Sequence, residues 1–155
     1  MRFFLVRHAH ADKAADDASR PLSAKGRAQV RALAAFLRRT GAFAPAEIWH
    51  SPLVRSRETA ALLAQRLKLR AKLKLTRGLE PDADSRVAAR SLSAARRPVA
   101  VVGHEPQLSA LASRLVTGRA EPAAFAMKKC SVLALDRDGA HWRVRWHVSP
   151  EVVPQ

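Results

Sequence analysis

Short apolar segments alternate with amphipathic segments along most of this chain, and no other feature limits its fold as strongly. FFLV at positions 3–6, EIWH at 47–50 and VAVV at 99–102 have the length and composition of buried strands. Between them, apolar residues recur three and four positions apart, which predicts helices. Strands that alternate with helices usually pair in parallel, with helices on both faces of the sheet. We therefore expect a three-layer α/β/α sandwich with a mostly parallel central sheet.

The helical segments have recognisable start signals. Four segments have the expected apolar spacing: about 24–39, 52–67, 84–95 and 106–116. Ser23 is expected to cap the first helix. Ser51 is expected to be the N-cap of the second helix and Pro52 its first residue. Proline is tolerated there because the N–H group that it lacks has no partner within the first turn of a helix. LKLT, which follows the second helix, is a candidate for a further short strand.

The last part of the chain predicts an antiparallel hairpin. SVLAL and HWRVRWHV have strand composition, and the Asp138-Gly139 pair between them favours a tight turn. Apolar and basic residues alternate in the second segment, so one face is expected to be buried and the other solvated. The expected core residues are Trp142, Val144, Trp146 and Val148, and the expected solvated residues are His141, Arg143, Arg145 and His147.

The composition is that of a globular cytoplasmic protein. With 155 residues, of which 48% are hydrophobic and 26% charged, the chain suffices for one domain, 1–155, with its own core. A single cysteine, Cys130, fits a reducing cytoplasm. The apolar run at the start is too short for a signal peptide, and none approaches the roughly 20 residues that span a bilayer. We expect no membrane association.

The charge is strongly positive, with 28 Lys and Arg against 13 Asp and Glu and a net charge of +15. Such a field attracts anions, including nucleic acid, phosphorylated metabolites and acidic proteins. However, the basic residues are spread along the chain, aromatic residues are only 5%, and no nucleic-acid-binding signature is present. We expect no nucleic-acid partner. A non-enzymatic module that binds nucleic acid or phosphorylated proteins remains an alternative that rests on charge alone.

Arginine and histidine follow the predicted strands at the points where these strands end. Arg7 and His8 follow the first strand, Arg55 lies in the helix after the second, and His104 follows VAVV. In open α/β sheets, ligands bind beyond the carboxyl ends of the strands. Arginine forks and helix N-termini together favour a dianionic phosphate. Imidazole adds a nitrogen nucleophile, and neighbouring arginines favour its neutral, reactive form.

These residues lie in motifs that resemble those of the histidine phosphatase superfamily, the phosphoglycerate mutase-like fold. The motifs are LVRHAHA, RPLSAKG, SPLVRSRETA and VVGHEP, and they occur in the family's order between residue 1 and about residue 136. The alanine after His8 and the short length are similar to the SixA-type branch, small enzymes that remove phosphate from phosphohistidine on proteins. The resemblance implies a metal-independent phosphatase without a cofactor.

The resemblance also implies roles for individual residues. His8 corresponds to the nucleophile that is transiently phosphorylated, and Arg7, Arg55 and His104 correspond to the phosphate pocket. Larger members protonate the leaving oxygen with a carboxylate from an inserted region. Glu80 in GLEPDAD is the nearest counterpart here, although it also fits a solvated acidic loop. Because imidazole leaves more readily than an alkoxide, an enzyme for phosphohistidine needs this acid less.

Two further alternatives stay open. HAHAD resembles the start of a metallohydrolase site, but no downstream cluster of histidine and aspartate completes it, so His10 is interpreted as a rim residue. Within the same superfamily, a broad small-molecule phosphomonoesterase is the main alternative activity. The expected partner is therefore a histidine-phosphorylated protein or a small phosphorylated substrate.

Overall fold

The computed structural model describes residues 1–154 and contains one six-stranded sheet and four α-helices. The strands are β1 (Arg2–Arg7), β2 (Glu47–His50), β3 (Lys72–Leu75), β4 (Val99–Gly103), β5 (Val132–Asp138) and β6 (His141–Val148). The helices are α1 (Ala24–Thr40), α2 (Val54–Leu67), α3 (Ser85–Ala94) and α4 (Gln107–Thr117). Short 3₁₀ turns cover Asp17–Ser19 and Pro150–Val152.

The sheet is parallel through its first four strands and antiparallel at its last two. The spatial order is β3-β2-β4-β1-β5-β6. β5 runs antiparallel to β1, and β6 antiparallel to β5, which is the predicted hairpin. One apolar cluster joins a face of the sheet to α1 and α2, and a second joins the other face to α3 and α4. The predicted three-layer α/β/α sandwich is confirmed.

The first helix begins as its sequence predicts. The Ser23 hydroxyl accepts a hydrogen bond from the Gly26 N–H group at 3.0 Å, and Gly41 ends the helix in the left-handed conformation, with φ of 61°. Gly26 also allows a close approach, since a Cβ at this position would overlap with the carbonyl oxygen of His10. The RPLSAKG motif thus packs α1 directly against the loop that follows β1.

The predicted start of the second helix is wrong. The helix begins at Val54, with Leu53 rather than Ser51 at the N-cap. Ser51 is fully buried, and its hydroxyl lies 2.6 Å from Nε2 of His104. The side chain that local sequence assigns to the helix start is therefore engaged by a residue 53 positions away.

The predicted single core face of β6 is also wrong. The β5–β6 register shifts between Ala134 and Leu135, which places Arg145 as an extra residue and reverses the alternation. Trp142 consequently packs with Phe3 on one face of the sheet, whereas Trp146 packs on the other. Val144 is 42% exposed. The four basic positions of the segment are exposed, as expected.

Candidate active site

The carboxyl ends of β1, β2 and β4 bring the predicted residues together. β1 and β4 pair with Arg7 opposite Gly103, so His8 and His104 follow at the same level, with ring centroids 4.9 Å apart. These residues line a pocket of about 370 Å³. Four of its lining residues were predicted: Arg7, His8, Arg55 and His104. Five were missed by sequence reasoning: Asp17, Arg20, Pro81, Glu105 and Lys129.

The hydrogen bond of His8 fixes its tautomer. Nδ1 lies 2.7 Å from the carbonyl oxygen of Ala9. Because a carbonyl oxygen only accepts hydrogen bonds, Nδ1 carries the proton and Nε2 keeps its lone pair. Burial lowers the pKa of His8 to about 4, and the charges of Arg55 and Arg7 act in the same direction. At neutral pH the ring is therefore a neutral nitrogen nucleophile.

His104 is more deeply buried than His8. Burial lowers its pKa to about 3, helped by His8 and by Arg55. Its Nε2 contacts the Ser51 hydroxyl, which also accepts a hydrogen bond from the Leu53 N–H group at 3.2 Å. Ser51 therefore holds the ring from the β2 side. Only the order of the strands in space reveals this contact.

Several polar atoms of these residues are buried without a hydrogen-bond partner. Within residues 1–154, five buried side-chain polar atoms lack one, and three belong to the pocket: Arg7 Nε, Arg55 Nε and His104 Nδ1. Burying unpaired polar groups costs free energy, so their concentration at one place indicates a site that binds a polar ligand. All three can carry N–H donors, which suits an anion.

Arg7 is held rigidly. Its guanidinium donates a 2.8 Å hydrogen bond to the carbonyl oxygen of Met127, and burial lowers its pKa while the charge of Glu105 opposes that shift. The residue is thus a fixed cation beside the nucleophile.

Arg55 is 4% exposed, and Asp17 uses part of its hydrogen-bonding capacity. It donates hydrogen bonds to the carbonyl oxygen of Asp17 at 2.8 Å and to its carboxylate at 3.0 Å. Hydrogen bonds from Arg55 and then from Arg20 lower the pKa of Asp17, so this carboxylate is ionised at neutral pH. No motif in the sequence analysis includes Asp17.

Glu80 does not line the pocket. Its carboxylate accepts a 2.6 Å hydrogen bond from the Gly78 N–H group, and the neighbouring Pro81 faces the pocket instead. Two acidic residues, Asp17 and Glu105, do line the pocket. The Glu105 carboxylate also accepts hydrogen bonds from the N–H and hydroxyl groups of Ser109. Its position directly after His104 was the available sequence signal.

His10 contacts Ser23 rather than the pocket. Its Nδ1 lies 2.6 Å from the Ser23 hydroxyl. Burial, followed by the charges of Lys129 and Lys25, lowers its pKa. Across residues 1–154, no three or more His, Cys, Asp or Glu side chains come together as a potential metal site. None of the helices in this range is long and apolar enough to cross a bilayer.

Comparison with known families agrees with this geometry. The model of the histidine phosphatase superfamily (branch 1) matches residues 3–80, half of the chain, and the chain belongs to this superfamily. The matched segment contains His8, Arg7 and Arg55. No curated protein is significantly similar in sequence.

Solved structures share the whole fold. The protein histidine phosphatase SixA, complexed with tungstate, has a TM-score of 0.86 and 24% identity, with 97% of each chain covered. An alpha-ribazole phosphatase from Shigella flexneri has a TM-score of 0.78 and 19% identity, again over 97% of each chain. A mycobacterial glucosyl-3-phosphoglycerate phosphatase has a TM-score of 0.67 and 22% identity, over 92% of this chain and 96% of its own. These likenesses establish the phosphoglycerate mutase-like fold.

Proposed function

We propose that this protein is a metal-independent phosphatase that forms a phosphohistidine intermediate on His8 and removes phosphate from phosphohistidine on a protein. The observation that carries the proposal is the His8 tautomer, in which Nδ1 donates to the Ala9 carbonyl group and Nε2 is free. The likeness to SixA, which binds the oxyanion tungstate, supports a phosphoryl ligand for the same fold. The single cysteine, Cys130, supports a cytoplasmic location.

The reaction has two steps. The lone pair of His8 Nε2 attacks phosphorus, the bond between phosphorus and the leaving imidazole breaks, and that imidazole takes a proton from solvent. Water then attacks phosphorus on His8, inorganic phosphate leaves, and Nε2 recovers its lone pair. Arg7 and Arg55 stabilise the charge on the transferring phosphoryl group, and the unpaired atoms of the pocket supply donors.

The decisive experiment measures phosphate release from a histidine-phosphorylated carrier protein in EDTA. We expect release by the wild type and none by His8→Ala. His141→Ala removes an exposed histidine on β6 and is the matched control, with wild-type rates expected. Rapid acid quenching should trap labelled phosphate on the wild type but not on His8→Ala. Equal release by both His8 forms, or activity that EDTA abolishes and zinc restores, would contradict the proposal.

A small-molecule phosphomonoesterase is the second candidate, and the position of Glu105 in the pocket favours it. An alkoxide leaving group needs a proton donor, so ester hydrolysis requires a carboxylic acid near the phosphoryl group. Glu80 remains the acid implied by the family resemblance, and Glu105 is the acid that lines the pocket.

The two carboxylates are separated by comparing Glu80→Gln with Glu105→Gln on glycerol phosphate and on a phosphohistidine peptide. Loss of 10²–10⁴-fold in ester turnover by one variant, as expected for general acid catalysis, would identify the acid and establish ester hydrolysis. We expect both variants to hydrolyse phosphohistidine within about tenfold of the wild type, because imidazole needs little protonation to leave. A larger loss would contradict that argument.

A further inference from the structure

A second pocket adjoins the phosphate pocket and shares two of its residues. This pocket of about 340 Å³ is lined by Arg7, Gln29, Lys128, Lys129, Pro150 and Glu151. Arg7 and Lys129 belong to both pockets. A ligand that places its phosphoryl group on His8 therefore has room for another group beside it.

Lys129 is a half-buried cation without a counter-ion. Burial is the largest cause that lowers the pKa of Lys129, and the positive charges of Arg7, Arg20, Lys25 and Arg55 act in the same direction. No carboxylate within residues 1–154 forms an ion pair with it. Keeping an ammonium group among four cations costs free energy, which a bound anion would offset.

The side chains around Lys129 in the second pocket indicate which kind of anion would bind there. Lys128 is already paired with Glu151. The side-chain oxygen of Gln29, Oε1, accepts a hydrogen bond from the backbone N–H group of His10. The side-chain nitrogen of Gln29, Nε2, has no partner within residues 1–154. One free ammonium group and one free amide match the two oxygens and single charge of a carboxylate better than a second dianionic phosphate.

The backbone holds Lys129 in fixed relation to the nucleophile. The Cys130 N–H group donates to the carbonyl oxygens of both Arg7 and His8 at 3.1 Å, and Met127 accepts from the Arg7 guanidinium. Cys130 adopts the left-handed conformation, with φ of 61°. The turn that carries Lys129 is thus tied on both sides to Arg7, so the second pocket is preformed.

We propose that Lys129 and Gln29 form a carboxylate subsite, which binds an Asp or Glu side chain close in sequence to the phosphohistidine of the substrate. This inference rests on the proposed function for its substrate class. It predicts that the enzyme prefers phosphohistidine in an acidic sequence context, independently of the general attraction exerted by its net charge of +15.

The test uses peptides that carry a non-hydrolysable triazole analogue of phosphohistidine. Glu is placed in turn at each of the three positions on either side, and each peptide has a Gln counterpart. Binding to the wild type, Lys129→Met and Lys72→Met is measured by calorimetry at 0.15 M salt. Lys72 is exposed at the opposite end of the sheet, so Lys72→Met removes the same charge away from the site.

For at least one position we expect the Glu peptide to bind the wild type about tenfold more tightly than its Gln counterpart, as one charge-assisted hydrogen bond would give. Lys129→Met should abolish this preference, Lys129→Arg should retain most of it, and Lys72→Met should leave it unchanged. The Tm of Lys129→Met should equal or exceed that of the wild type, because a repelled cation is removed.

No preference at any position, or a preference that Lys72→Met reduces as much as Lys129→Met does, would overturn the inference. The same peptides with native phosphohistidine then report turnover separately. A Lys129-dependent binding preference without hydrolysis would uphold the subsite and overturn the proposed activity. Hydrolysis without the preference would uphold the activity and overturn the subsite.

Discussion

At the scale of single residues, the two pocket histidines combine burial with a cationic environment. His8 is 6% exposed and His104 is 1% exposed, and both lie among arginines. Each effect disfavours the imidazolium form. The folded state therefore keeps two neutral rings at a pH where histidines of an unfolded chain are largely protonated.

We expect the NMR resonances of His8 and His104 to stay constant from pH 8 down to about 5, since their pKa values lie near 4 and 3. The same histidines in urea should titrate near pH 6.5. In the folded state the pKa values are depressed, so the unfolded chain binds more protons and the free energy of unfolding falls as pH drops from about 6.5 towards 4.

The comparison is made with isotope-labelled protein, with resonances assigned through His8→Ala. Urea unfolding at pH 7 and pH 5 checks the linked loss of stability. A midpoint for His8 near 6.5 in the folded protein would contradict the burial argument and remove the reason for a neutral nucleophile at mildly acidic pH.

At this scale, the candidate residues that the sequence singled out and that line one pocket are those where motif and position coincide. Arg7, His8, Arg55 and His104 follow strands or begin helices, and these features are visible in the sequence. Asp17 begins a short 3₁₀ turn and Lys129 lies in an irregular segment, and the sequence contains no local pattern that marks either residue. The roles of all these residues, Glu80 included, stay predictions.

At the scale of elements, start signals depended on what surrounds them. Ser23 caps α1 as predicted, and its hydroxyl keeps the hydrogen bond from the Gly26 N–H group although His10 Nδ1 lies 2.6 Å away. Ser51 has an equally strong helix-start signal in its local sequence. However, it lies at the end of β2 beside β4, where its hydroxyl contacts His104. Both serines are buried, so the segments packed around each one, rather than burial itself, decide whether the residue starts a helix or contacts a pocket residue.

The contact between α1 and the loop after β1 predicts that Gly26→Ala lowers the stability of the protein, whereas helix propensity alone predicts that it raises it. In an isolated helix, Gly→Ala stabilises by about 1 kcal/mol. Here Gly26→Ala would force the new methyl group against the His10 carbonyl oxygen, so we expect destabilisation by about 1–3 kcal/mol. The displaced loop should also lower kcat/KM. Urea unfolding and phosphate release measure the two effects.

Gly41→Ala is the matched control. Its left-handed φ of 61° makes alanine unfavourable, but nothing lies within 4 Å of the added methyl group. It should lower stability while leaving kcat/KM unchanged. A Gly26→Ala variant that is more stable than the wild type would contradict the predicted contact.

At the scale of the whole molecule, the order of the strands creates the site. β1 and β4 are far apart in sequence but adjacent in the sheet, and this places His8 beside His104. The sequence shows that 28 basic residues outnumber 13 acidic ones, but only the structure shows that Lys129 lies without an ion pair beside the pocket of His8.

The sequence by itself determined the α/β/α class, the C-terminal hairpin and the residue types that suit phosphate chemistry, because periodicity and motifs are local properties of the chain. Only the tertiary structure decided the bulge at Arg145, the contact of Ser51 with His104, and which carboxylates and which lysine line the pocket. These features depend on strand pairing and packing between distant segments, and local periodicity carries no information about which distant segments meet.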